Sequence, residues 1–163
     1  MNADELLEQY ASGERNFSDA DLSRADLGGA DLSRADLRGA NLSGCTGLLN
    51  AEEWITQNFE QLTSAGRRVY KAFGNTHFSQ SWTVEESAVI EEVVNPNPTE
   101  DCGCGVNFGT LEFVKKEFPK SEIRECTLPP YVQVVVPYNT NGKARCAKLI
   151  VGKVIRARNG EEN

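Results

Sequence analysis

The sequence predicts two fold classes in one chain of 163 residues: a short β-solenoid with an N-terminal capping helix, and then an α+β domain. Two observations predict them. A large apolar residue recurs every five positions between residues 17 and 44, and later segments alternate between helix-like and strand-like patterns. We therefore expect a capping helix in residues 1–14, a solenoid in 15–49, an α+β domain in 50–157 and a mobile tail in 158–163.

A five-residue step suits neither regular element. On an α-helix it rotates the side chain by about 140° beyond a full turn, and on a strand it sends alternate residues to opposite faces. The chain must therefore turn once per repeat, so that the large apolar residue and the small residue two places before it share one interior. The expected core of the repeats consists of Phe17, Ala20, Leu22, Ala25, Leu27, Ala30, Leu32, Ala35, Leu37, Ala40 and Leu42.

Residues 20–44 read ADLSR, ADLGG, ADLSR, ADLRG and ANLSG, and they resemble the pentapeptide-repeat family. The resemblance implies a right-handed quadrilateral β-helix with four repeats per coil, so the six repeats would form about one and a half coils. The best-known members mimic DNA with acidic rods and bind a topoisomerase. Residues 14–44 carry six acids and four arginines, a net charge of about −2, which makes this segment a weak mimic of DNA.

The first residues predict a helix that closes the solenoid. The segment Ala3–Ala11 places Leu6, Leu7 and Tyr10 on one side, and Gly13 ends it. Capping is the expected role, because an open solenoid end exposes apolar side chains and unpaired backbone. The run LLEQYASGERNF also resembles the lead-in of cyanobacterial pentapeptide-repeat proteins.

The five-residue period fails after Gly44, and helix and strand signals follow. The expected elements are a helix in 51–64 capped by Asn50, strands in 68–73 and 87–94, a loop in 95–105, a helix in 110–118, strands in 121–128 and 131–137, a turn at 141–142 and a strand in 143–155. Several of these segments resemble an uncharacterised domain that follows pentapeptide repeats, or stands alone, in phage, giant-virus and bacterial proteins. That resemblance implies no biochemical activity.

Four cysteines and the one histidine are the candidates for metal or thiol chemistry: Cys102, Cys104, Cys126, Cys146 and His77. Four thiolates, or three with the imidazole, can close a tetrahedral zinc site. The spacing disfavours it, because zinc-binding pairs are usually two to four residues apart and Cys102 and Cys104 have one residue between them. An exposed thiol before the second helix could instead be a nucleophile with His77 as its base. We predict no catalytic residue, metal or cofactor, and keep zinc as the alternative.

Charge and hydropathy limit the partners. A net charge of −7 and a pI near 4.8 argue against binding nucleic acid or an anionic membrane through a basic face. No apolar run approaches the length of a bilayer span, and the N-terminus lacks the pattern of a signal peptide. We expect a cytoplasmic protein, or one in the virion or host cytoplasm if a phage encodes it.

The leading hypothesis is a non-enzymatic structural or protein-interaction protein that binds a protein partner, with self-association as one form. Its basis is a short repeat segment followed by a domain without a convergent catalytic set. The two alternatives are a metal- or thiol-dependent enzyme or ligand module in the α+β domain, and a DNA mimic that inhibits a topoisomerase or a defence enzyme.

Overall fold

The computed structural model describes residues 1–28, 30–62, 64–74, 82, 84–100 and 103–157. Its helices are α1 (Ala3–Ala11), α2 (Ala51–Asn58) and α3 (Leu111–Glu117). Its strands are β1 (Arg67–Phe73), β2 (Val89–Glu91), β3 (Val106–Gly109), β4 (Glu122–Leu128), β5 (Val134–Val135), β6 (Lys143–Cys146) and β7 (Lys148–Arg156). Among these residues, no helix combines the length and the apolar composition that crossing a bilayer requires.

The repeats wind into a coil, which we call the repeat coil, with 20 residues per turn. Parallel bridges join residues that are 20 positions apart, namely Asn16 with Asp36, Asp21 with Asn41 and Asp26 with Thr46. Four five-residue repeats therefore complete one turn. The pairing continues to Thr46, two residues beyond the point at which the period in the sequence ends.

One left-handed residue per repeat turns the chain. Asp19, Arg24, Arg34, Gly39 and Gly44 have φ angles of 56°, 61°, 65°, 72° and 72°. The corner explains how a five-residue step can bring every leucine to the same interior, which neither a straight helix nor a flat strand allows.

The coil buries most of the residues expected in its core. Phe17, Leu22, Ala25, Leu27, Leu32, Ala35 and Leu37 are buried, and Ala20, Ala30, Ala40 and Leu42 are partly buried against them.

Helix α1 is present where the sequence predicts it, and it covers the lower end of the coil. Asn2 and Glu5 form a capping box at its start. Leu6 is fully buried in the core of the coil, and the hydroxyl of Tyr10 donates to the carbonyl of Ser33 at 2.7 Å. These contacts cover the apolar side chains that the first coil would otherwise expose.

In the described part of the chain, seven strands form one antiparallel sheet in the order β2-β7-β4-β1-β3-β6-β5. Only Ala147 separates β6 from β7, yet these strands stand four places apart in the sheet, which is about 19 Å in a flat sheet. Two residues of chain span about 7 Å. The sheet must therefore curl so that β6 and β7 meet.

The curled sheet has an apolar core on each face. On the inner face, Ile55 and Phe59 from the end of α2 pack with Val69, Phe108 and other strand residues. On the outer face, α3 packs Val114 against the sheet. Thr110 caps α3 by accepting a hydrogen bond from the N–H of Phe113.

Several predicted boundaries in this part were wrong. Helix α2 ends at Asn58 because Phe59 is extended, and Glu60 then pairs with Arg68. The strands expected in 87–94 and 131–137 shorten to β2 and β5, and β3 lies where the sequence gave only a glycine-rich segment before the next helix. The single strand expected in 143–155 is two strands, because Ala147 bonds to Gln133 and Glu92 at the bend.

Candidate functional site

An identical side-chain bond recurs in all six repeats of the coil. The acidic or amide residue of each repeat accepts a hydrogen bond from the backbone N–H two positions later, at 2.9 to 3.2 Å. This is the Asx turn that Asp and Asn favour. The acceptors are Asn16, Asp21, Asp26, Asp31, Asp36 and Asn41.

These bonds hold the side chains in fixed positions and keep the carboxylates charged. Hydrogen bonds from the side chain and backbone of Ser23 lower the pKa of Asp21, and those from Ser33 lower the pKa of Asp31. Hydrogen bonds from Arg38 lower the pKa of Asp36 to about 2. The outer face of the coil is therefore a rigid surface of ionised groups at physiological pH.

Neighbouring turns of the coil extend the same surface. The amide Nδ2 of Asn41 donates to Oδ1 of Asp21 at 3.1 Å, and the hydroxyl of Thr46 donates to Oδ1 of Asp26 at 3.2 Å. Each stacked pair thus fixes a carboxylate from a second direction.

The loop between β5 and β6 supplies a backbone acceptor that the coil lacks on one of its sides. The N–H of Asp19 donates to the carbonyl of Arg38, 19 residues later, at 2.8 Å, and Arg24 makes the equivalent bond. Arg34 has no repeat above it, because the chain leaves the coil to form α2. Its N–H donates instead to the main-chain oxygen of Asn139 at 3.2 Å.

The side chain of Asn139 supplies the matching donor. Lower in the coil, the carbonyl of Ala20 accepts from the N–H of Asn41, 21 residues later, at 2.9 Å. For Ala35 the same offset falls inside α2, and its carbonyl accepts from Nδ2 of Asn139 at 2.6 Å. Asn139, only 6% exposed, therefore provides both the acceptor and the donor that another repeat would provide.

Two clefts lie beside this junction. A polar one of about 670 Å³ is lined by Arg34, Asp36, Arg38 and Glu100 among others. A second one of about 280 Å³ contains apolar side chains, including Trp54. The charges in the larger cleft balance, so its electrostatics select neither an anion nor a cation.

The thiols that the sequence singled out do not assemble into a site among the described residues. Cys126 and Cys146 are buried in β4 and β6, where burial raises their pKa values to about 11 and about 12, whereas Cys104 is exposed. A raised pKa disfavours the thiolate that a nucleophile or a zinc ligand needs. Cys102 and His77 lie outside the described residues. Within the described residues, no three His, Cys, Asp or Glu side chains are grouped to hold a metal ion.

Two buried cations escaped the sequence analysis. The ammonium of Lys71, 2% exposed, donates to the carbonyl of Asn107 at 2.8 Å and lies 5.2 Å from the centre of the Trp82 ring. Burial lowers its pKa to about 8. Arg145, 1% exposed, donates to backbone carbonyls in the loop of residues 95–100. Alternation placed Arg145 on a wet face, and only the curl of the sheet turns it inward.

The comparisons with known proteins agree with the coil. Residues 16–46 match the family model described as pentapeptide repeats, in 8 copies, where the period in the sequence gave six. The segment therefore contains pentapeptide repeats, and the match does not extend into the sheet. No curated protein and no solved structure matches the chain. The resemblance of the second part to an uncharacterised phage, viral and bacterial domain stays a prediction.

Proposed function

We propose that this is a non-enzymatic structural or protein-interaction protein without a bound cofactor. A short right-handed quadrilateral β-helix (residues 15–49), capped by residues 1–14, presents the binding surface. The α+β domain (residues 50–157) closes its upper end through Asn139. Pentapeptide repeats in general favour such a role. The partner is a protein, and the location is the cytoplasm of the cell or of a phage host.

The observation that carries the proposal is the Asx turn repeated in six repeats. A flexible charged side chain loses conformational entropy when it binds, typically about 0.5–1.5 kcal/mol for each one immobilised. Carboxylates that already accept a hydrogen bond from their own repeat have lost that freedom in the free protein. The row is therefore prepared to contact a complementary basic surface at low entropic cost.

The chain offers a substitution that removes charge and keeps the turn. Asn occupies the same position at Asn16 and Asn41 and makes the same bond. We expect the triple variant Asp21→Asn, Asp26→Asn and Asp31→Asn to fold as the wild type does and to lose partners that the wild type retains. The measurement is affinity purification from the natural host, followed by mass spectrometry.

The matched control removes three charges elsewhere, by Glu8→Gln, Glu112→Gln and Glu117→Gln, all on exposed helical positions. It should keep the partners. The proposal is wrong if the wild type recovers no partner and is a monomer by light scattering, or if the coil variant and the control recover the same partners.

A further inference from the structure

Tyr131 is an aromatic side chain in an unusual position. It is fully exposed, at 105% of its reference area, and its φ angle is 62°. A left-handed conformation is strained for a residue other than glycine, asparagine or aspartate. Backbone strain persists where the surrounding structure imposes it, and it concentrates at functional sites. Here the strain presents a tyrosine to the solvent in the segment LPPYV.

A groove lies beside this tyrosine. It has a volume of about 440 Å³ and separates the start of α2 from residues 128–134. Its apolar lining includes Ile55, Leu128 and Val132, and its walls carry Glu52 and Arg67. The groove is large enough for an aromatic ring, with one charge of each sign at its rim.

We propose that a second copy of this chain docks on this surface, with Tyr131 of each copy in the groove of the other. A two-fold interface requires one patch that carries both the projecting group and its receptor, because residue i contacts residue j and residue j contacts residue i. The patch around Tyr131 meets this condition. The same symmetry places Glu52 of one copy opposite Arg67 of the other, so the charges attract.

A second exposed apolar residue shows why the choice of surface matters. Val93 is 81% exposed, but it lies next to Glu92 and close to the exposed Glu91. Pairing this acidic edge with its own copy would bring like charges together, which is destabilising. The groove beside Tyr131 is the apolar surface whose charges favour a second copy. It is separate from the carboxylate row of the coil, so the proposed function does not depend on it.

The strain at Tyr131 makes the test specific. In Tyr131→Gly the backbone conformation becomes unstrained and the side chain is lost. We expect the variant to unfold at a higher urea concentration than the wild type, and its dimer dissociation constant to rise at least tenfold, as for a central tyrosine in an interface. Sedimentation velocity over a range of protein concentrations measures the second quantity. A loss of association with a gain in stability excludes misfolding as the cause.

Two further variants complete the experiment. Glu52→Lys places a cation opposite Arg67 and should weaken the dimer, whereas Val93→Asn removes an exposed apolar side chain outside the groove and should leave it unchanged. The proposal is overturned if the wild type is a monomer at every concentration, if Tyr131→Gly associates as strongly as the wild type, or if Tyr131 contacts only a different protein. The triple Asp→Asn variant of the coil should dimerise normally, so failure of this proposal and failure of the interaction role are distinguishable.

Discussion

Replacing Asn139 with alanine tests whether this residue completes the coil. The substitution removes the Nδ2 donor to the carbonyl of Ala35 and keeps the main-chain oxygen that accepts from Arg34. Because Asn139 is 6% exposed, water cannot replace the donor unless the junction opens. A buried carbonyl that loses its partner costs about 1–3 kcal/mol. We therefore expect Asn139→Ala to lower the free energy of unfolding by about 2 kcal/mol.

Urea unfolding followed by tryptophan fluorescence measures this loss, and hydrogen exchange in residues 30–36 locates it. The matched control is Asn141→Ala, an exposed asparagine on the same loop, which should change stability by less than about 0.5 kcal/mol. Asn139→Asp should cost more than Asn139→Ala, because an acceptor then faces the carbonyl of Ala35. If Asn139→Ala and Asn141→Ala have equal effects, the side chain does not complete the coil.

Three further substitutions test the coil and the sheet. Gly47 and Gly44 have φ angles of 71° and 72°, but a Cβ at Gly47 would lie 2.2 Å from the backbone below it and one at Gly44 meets nothing closer than 3.5 Å; urea unfolding should show Gly47→Ala about 1–3 kcal/mol less stable than Gly44→Ala. The unfolded chain binds more protons than the folded one between pH 8 and 10.5, because burial lowers the pKa of Lys71; stability relative to Lys71→Met should therefore rise over that window in urea unfolding, and a flat difference would contradict it. Arg145→Met removes the donors to the loop of residues 95–100, so limited proteolysis should cleave that loop faster than in the wild type, with a loss of about 2–4 kcal/mol; equal cleavage would refute the anchoring role.

The period of the repeats was enough to predict the coil, because five residues allow only a chain that turns once per repeat. The sequence analysis missed the Asx turns, although the signal was present. Each repeat has Asp or Asn two places before a residue whose N–H it can bond, as in Asp21 and Ser23. We had assigned these acids only to the wet face. Their side chains in fact fix the corner at which the chain turns.

The curl of the sheet could not be predicted from residue patterns. A continuous strand-like run from Lys143 to Ile155 gives no sign of the bend at Ala147, because the bend depends on partners far away in sequence, Gln133 and Glu92. The same curl turns Arg145 into the interior. Local propensity also extended α2 past Asn58, and the tertiary packing of Phe59 in the inner core ended the helix instead.

The position of Asn139 follows from where water can reach the coil. Above the second coil, the N–H groups of Gly39 and Gly44 have no printed backbone partner, but both residues are exposed and can bond water. Ala35 is fully buried, so its carbonyl requires a protein donor. A coil that ends against a second domain must therefore receive its missing hydrogen bonds from that domain where the two pack together. Asparagine meets this need with one residue, because its main-chain oxygen accepts and its side-chain amide donates.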